Sequence, residues 1–144
     1  MKVVIIGAGK VGYSLARMLS SEEHDVIVVE PDIDRGNIIN EKLDVQVVNG
    51  NGASPKLQKA IGMDQTDLAI AVTDSDEINM LAATFAKKAG AKRTVARLRD
   101  IVYANDIETL KTRLPEVDMF INPEQVTAET ISNYIKVPEA KDIY

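Results

Sequence analysis

Short apolar runs, mostly β-branched, recur along the chain at 2–6, 26–29, 45–48, 68–72, 94–98 and 119–121. Most are apolar at every position instead of alternating with polar residues, the pattern of strands covered on both faces in a parallel sheet. Helical spacing fills the intervals. Val11, Leu15, Met18 and Leu19 fall on one helical face, as do Ile78, Leu81, Ala82, Phe85, Ala86 and Ala89. Asp74 with Glu77 three residues on resembles a capping box, and Asn122-Pro123 with Gln125 marks the start of a last helix. This alternation predicts an α/β fold: a Rossmann-type doubly wound parallel sheet with right-handed crossovers and strand order 3-2-1-4-5-6. Pro138 breaks the last helix, and 139–144 looks like the start of a further segment, so a domain cut from a longer protein is expected. Residues 1–122 form the Rossmann unit in this division; 123–144 hold the last helix and a truncated continuation.

Bulk properties narrow the chemistry. A chain of 144 residues is one domain by size and can bury a real core. A net charge of −5 argues against a nucleic-acid partner, because such binding neutralises phosphates with clustered Lys and Arg. The absence of cysteine removes disulfides, thiol nucleophiles and thiolate metal sites, and suits a reducing compartment. Val3-Val4-Ile5-Ile6 is too short for a signal core, and no apolar run approaches the roughly 18 residues that span a bilayer. A soluble cytoplasmic domain is expected, brought to any membrane by a partner.

The segment Gly7-Ala8-Gly9-Lys10-Val11-Gly12 follows the first predicted strand and opens an amphipathic helix, the context that a G-x-G-x-x-G motif requires. Gly7 permits the tight turn, Gly9 lets backbone approach a diphosphate, and Gly12 lets helix pack closely on strand. Phosphate would sit on free N–H groups at the positive end of the helix. The competing interpretation is a tight turn with no ligand. Glu30 ends the second strand 18 residues past Gly12 (30 minus 12), near the separation of about 20 at which an acid holds ribose hydroxyls. A carboxylate there favours NAD(H) or ADP/ATP over a 2′-phosphorylated ligand; otherwise Glu30 is a solvated strand-end acid. Arg35 cuts the other way, because it could pair with a 2′-phosphate.

Three more strand ends point to the same crevice. Asn49-Gly50-Asn51-Gly52 presents Asn51 toward an adenine or is a plain turn. In Thr73-Asp74, Asp74 is either a helix cap or a ligand contact. Arg97 and Arg99, on one face of the fifth strand, either bind a diphosphate or form a surface pair with Asp100 or Glu108.

Catalytic apparatus is not visible. The single histidine, His24, lies in a charged turn at the end of the sheet away from the crevice, and no Lys follows Tyr13 at a catalytic spacing. There is no Ser-His-Asp set, no His or Cys metal cluster, and no G-x-x-x-x-G-K-[ST] phosphate loop. The Rossmann unit uses up the chain and leaves no substrate domain, which points to a nucleotide sensor without catalytic or metal-binding residues.

Five segments carry a family resemblance: 1–12, Val47-Val48-Asn49-Gly50-Asn51-Gly52, 71–80 with its T-x-x-D-E-x-N-M pattern, Ala96-Arg97-Leu98-Arg99, and Pro123-Glu124-Gln125. Together they resemble the N-terminal RCK or KTN domain of the TrkA-like regulatory subunit of Trk-type potassium uptake systems, over essentially the whole chain. The resemblance implies a non-enzymatic protein, cytoplasmic and peripheral to the inner face of the cell membrane. It would bind NAD(H), with ATP or ADP as alternative ligands. It would assemble as a homodimer or larger ring and gate an integral membrane potassium-translocating subunit. The implied nucleotide contacts are Gly7, Ala8, Gly9, Lys10, Val11 and Gly12, then Glu30, Asn51, Thr73, Asp74, Arg97 and Arg99. Many relatives have Asp where this chain has Glu30. Glu124 corresponds to a position where some relatives bind a divalent cation, and here reads first as a helix N-terminal acid. The last helix, 123–136, resembles a crossover helix for pairing, with Val126, Ile131, Tyr134 and Ile135 as its seam or as intramolecular core.

The rival from another class is the cofactor-binding fragment of an NAD-dependent oxidoreductase. A third reading differs only in the membrane partner, an antiporter or channel. In each, Glu30→Ala should weaken nucleotide binding by about 1.5–3 kcal/mol for each charged hydrogen bond lost. Calorimetric titration measures this, and an unchanged affinity would refute the ribose role.

Overall fold

The fold was analysed in a computed structural model that describes residues 1–122 and 128–136. In chain order the elements are β1 (Lys2–Ile6), α1 (Lys10–Ser21), β2 (Asp25–Val29), α2 (Ile33–Lys42), β3 (Gln46–Val48) and α3 (Pro55–Ala60). A 3-10 turn (Met63–Gln65) leads to β4 (Leu68–Ala71), α4 (Asp76–Ala89) and β5 (Arg93–Arg97). Then come α5 (Ile101–Ala104), α6 (Ile107–Arg113), β6 (Met119–Ile121) and α7 (Ala128–Lys136). The six strands pair in parallel in the order β3-β2-β1-β4-β5-β6, as the apolar runs predict.

Alternation along the strands builds a core on each face of the sheet, with a third, smaller cluster of Ala83, Ala96, Leu98, Val117 and Phe120. Val3, Ile5, Val26, Val28, Leu68 and Ile70 face one side, with Leu15 and Leu19 of α1 and Ile39 of α2. Val4, Ile6, Ile27, Val29, Ala69 and Ala71 face the other, with Met63 and with Ala82 and Ala86 of α4. Every strand residue of β1 beyond Lys2 is therefore buried, which is why the run carries no polar position.

Ile131, Tyr134 and Ile135 of α7 are buried in the same cluster as Leu15 and Leu19, the intramolecular one of the two positions expected for them. The Arg93 guanidinium stands 5.1 Å from the Tyr134 ring centroid and also bonds the Tyr134 and Ile135 carbonyls, both at 3.4 Å. Pro123, Glu124, Gln125 and Val126, together with 137–144, lie outside the described residues.

Two local expectations need correction at α4. The N-cap is Ser75, whose hydroxyl accepts the Ile78 N–H at 3.2 Å, so Asp74 stands one residue outside the helix and makes no capping box with Glu77. The buried stripe is Asn79, Ala82, Ala83 and Ala86, whereas Leu81 is 44% exposed, Ala89 is exposed and Phe85 half-buried. Small side chains let α4 sit close on the sheet, and the larger ones are turned to its flank. Among the described residues no helix is long and apolar enough to cross a membrane.

Gly12 fixes how α1 leaves β1. A Cβ there would stand 1.9 Å from the Gly7 carbonyl oxygen, a backbone atom that cannot swing aside. At Gly9 the nearest atom to such a Cβ is the end of a flexible Arg35 side chain, 3.9 Å away, and φ is an ordinary −75°. Gly12→Ala should therefore destabilise the fold by about 1–3 kcal/mol or more. Gly9→Ala should leave the unfolding midpoint nearly unchanged. Denaturant titration of both variants checks the contrast, and equal midpoints would contradict it.

Candidate functional site

β1 and β4 are neighbours in the sheet, but their following helices lie on opposite faces, so the chain diverges at their carboxyl ends. A crevice of about 430 Å³ opens at this switch point, where an open α/β sheet receives ligands. It is lined by Gly7, Ala8 and Gly9, by Glu30, Pro31 and Arg35, by Asn51 and Gly52, and by the loop Val72 to Ser75 with Ile78. Seven residues expected from the sequence thus meet in one place: Gly7, Ala8, Gly9, Glu30, Asn51, Thr73 and Asp74.

The others stand around it. Lys10, Val11 and Gly12 form the first turn of α1 behind the loop. Arg97 lies beneath the floor, and Arg99 lines a separate shallow depression with Asp74, Ser75, Asp76, Glu77 and Asp100. β5 ends at Arg97, so the two arginines share no strand face in the crevice. His24 lies across the sheet from the crevice, its Nδ1 3.4 Å from the amino terminus.

The glycine loop owes its shape to close backbone approach. Gly7 has φ +113°, and a Cβ on it would lie 3.0 Å from Thr73 N and the Val72 carbonyl. α1 begins on Gly9 with no side-chain cap and no acid in its first turn, whereas Asp32, Ser54, Ser75 and Asp100 cap the next four helices. The first turn's N–H groups have no intrahelical partner, so the positive end of α1 faces the crevice without a side-chain acceptor from its cap.

Glu30 is 5% exposed, which excludes the solvated strand-end acid. Its Oε1 accepts the Ala8 N–H at 2.8 Å and its Oε2 the Asp32 N–H at 2.9 Å, tying the first loop to the second. A carboxylate has about four acceptor positions, so two bonds leave capacity for ligand hydroxyls. Asn51 Oδ1 accepts the Ala53 N–H at 2.9 Å, and Asn49 Nδ2 donates to the Glu30 carbonyl at 3.2 Å.

The β4 loop is held by a residue whose role sequence reasoning missed. Asn79 is fully buried in α4. Its Oδ1 accepts from Thr73 N (2.8 Å) and Thr73 Oγ1 (2.7 Å), and its Nδ2 donates to the Thr73 and Arg97 carbonyls, both at 3.1 Å. Asp76 does the same for the β5 loop, accepting from Arg99 N and Asp100 N. Both belong to the T-x-x-D-E-x-N-M pattern. The available signal was a polar residue at position 79 on the apolar face of a helix.

Arg97 is a buried cation. Its Nη1 donates to the Val72 and Thr73 carbonyls at 3.4 and 3.3 Å and lies 3.7 Å from Asp74 Oδ1, while its buried Nε has no hydrogen-bond partner. Burial first, then the neighbouring Arg99, pulls its pKa below the ordinary arginine value; Asp74 and Asp76 oppose that. Its carboxylate partner is Asp74, not Asp100 or Glu108. At the edge of the shallow depression Tyr103 donates its hydroxyl to Glu77, which raises the phenol pKa. No group of three or more His, Cys, Asp or Glu among the described residues could hold a metal ion.

A family model described as the TrkA-N domain matches residues 3–123. The Trk system potassium uptake protein TrkA homolog of Archaeoglobus fulgidus is 38% identical over 143 residues, covering 99% of this chain and 32% of that protein. TrkA of Halomonas elongata is 36% identical over 144 residues with the same coverage. The chain thus spans about a third of the length of the curated relatives it matches. Among solved structures, the TrkA-N domain of the inner membrane protein ybaL from Escherichia coli superposes with TM-score 0.73 at 17% identity over 96% of each chain. The GsuK channel bound to NAD gives 0.70 at 19% identity, covering 83% of this chain and 21% of that one. GsuK bound to ADP gives 0.69 at 19% identity, covering 84% and 31%.

The Asn79 network makes a direct prediction. Asn79→Ala should destabilise the fold by about 1–3 kcal/mol for each buried group left unpaired. Chemical denaturation measures it, and wild-type stability would show that the bonds are replaced.

Proposed function

Because the chain belongs to the TrkA-N domain family, we propose that its crevice binds an adenine nucleotide and that the chain is the sensing domain of a potassium-transport regulatory subunit. NAD(H) is the leading ligand, with ADP and ATP as alternatives. The observation that carries this is the glycine loop at the switch point: an uncapped α1 N-terminus beside a buried Glu30 carboxylate. These fit a nucleotide in two ways. The diphosphate would sit on the N–H groups of Gly9 to Val11 and the positive helix end. Ribose hydroxyls would donate to the remaining acceptor positions of Glu30, which would repel a 2′-phosphate. Thr73 and Asn51 would contact the ligand from the β4 and β3 loops, and Arg97 and Arg99 would contribute positive field from behind. GsuK has been seen with NAD and with ADP, and likeness to it in fold agrees with a ligand of this class.

In this proposal the nucleotide is bound and not consumed. The Rossmann unit over 1–122 would be the sensor, and 123–144 would lead into pairing with a second copy and the rest of the subunit. A homodimer or ring would lie at the cytoplasmic side of a membrane potassium-translocating partner. Ligands that bind one arrangement of paired domains more tightly than another would shift the balance between them, and that difference in affinity would gate transport.

Calorimetric titration with NAD, NADH, ADP and ATP tests the premise. At least one should bind, and NADPH more weakly than NADH. Failure of all to bind would remove the sensing function.

A further inference from the structure

Three charged side chains meet beside the crevice: Asp74 from the β4 loop and Arg35 from α2 line it, and Arg97 from the end of β5 lies beneath its floor. Asp74 Oδ2 lies 3.8 Å from Arg35 Nη1, and Asp74 Oδ1 lies 3.7 Å from Arg97 Nη1. Arg35 comes from the first turn of α2, and its Nη1 lies 3.9 Å from a Cβ built on Gly9, so the guanidinium overhangs the glycine loop. One exposed carboxylate therefore spans a cation above the glycine loop and a second one buried beneath the crevice floor.

The pairs are built to open. Both distances are long for ion pairs, and the side chains of Asp74 and Arg35 are 70% and 51% exposed, so solvent screens their attraction. Arg97 in contrast is 8% exposed, with two long bonds to carbonyls and a buried Nε lacking a partner. It is a cation short of acceptors. A diphosphate carries more charge than a carboxylate and offers several oxygens to a guanidinium fork, so it would outcompete Asp74 for Arg35.

We infer that Asp74 is a stand-in anion that occupies the crevice's arginines until a diphosphate displaces it, so that the residue sets how strongly ligand charge is rewarded. The inference rests on the nucleotide-binding function proposed above. It differs from a direct role for Asp74 in the sign of its effect: a stand-in opposes the anionic ligand, whereas a contact would aid it.

ADP titration by calorimetry, on wild type, Asp74→Asn, Arg35→Gln and the double variant, separates the two. Asp74→Asn should bind ADP about three- to tenfold more tightly, the size expected from releasing two weak ion pairs. In the Arg35→Gln background that gain should fall to about two- to threefold, because one of the two pairs being released is then already gone. Weaker or unchanged binding by Asp74→Asn overturns the inference and leaves nucleotide binding intact. An equal gain in both backgrounds also overturns it, by showing a general effect of surface charge. No ADP binding by wild type or any variant would overturn this inference, and the nucleotide function falls with it if NAD, NADH and ATP also fail to bind the wild type.

Discussion

Helix α1 can leave strand β1 only along the path that two glycines allow, because the Gly7 carbonyl occupies the space that any side chain at position 12 would need. That contact sets the helix axis, and the axis aims the uncapped N-terminus at the switch point of the sheet. Gly7 itself sits at φ +113° against the Val72–Thr73 backbone, so the first and fourth loops are placed relative to each other by the same turn. The crevice is the gap that these contacts leave, and its other residues are arranged around that geometry.

What surrounds the gap is a set of loops sewn together by buried polar side chains. Glu30 joins the first loop to the second through two backbone N–H groups. Asn79 joins the fourth to the end of β5, and Asp76 continues the seam to the loop beyond. A buried polar group is costly when left unpaired, so each of these residues fixes its loops in one arrangement. The mouth differs, since its ion pairs are exposed and long. Rigid walls and an easily exchanged entrance suit the proposed site, which would hold its shape while its occupant changes.

The fold was largely legible because all-apolar strand runs and helical intervals report the layers of a doubly wound sheet directly. The glycine loop, Glu30, Asn51 and the β4 loop were legible too, because sheet topology brings strand ends together whatever their separation in sequence. The run Thr73-Asp74-Ser75-Asp76-Glu77 was harder. Three of its first four residues after Thr73 can cap a helix, and backbone geometry, which local chemistry does not reveal, chose Ser75. On α4, alanines on adjoining faces blurred which edge of the apolar stripe meets the sheet, so Leu81 and Ala89 were placed inward. Asn79 could be seen as an oddity but not as a brace, because its partners lie on two other loops. Arg97 and Arg99 illustrate the same limit: two residues apart in sequence, they are separated by the end of a strand.

The three glycines of the loop answer to different masters. Gly7 and Gly12 are demanded by the chain itself, since backbone atoms fill the space beside them. Gly9 meets only the end of a flexible Arg35 side chain, at ordinary contact distance, and no backbone among the described residues demands it. On the proposed function, a descendant that kept the architecture but gave up the nucleotide would be free to let position 9 drift while positions 7 and 12 stayed fixed. The occupant of that single position thus separates, within one short motif, the inheritance of a shape from the inheritance of a use.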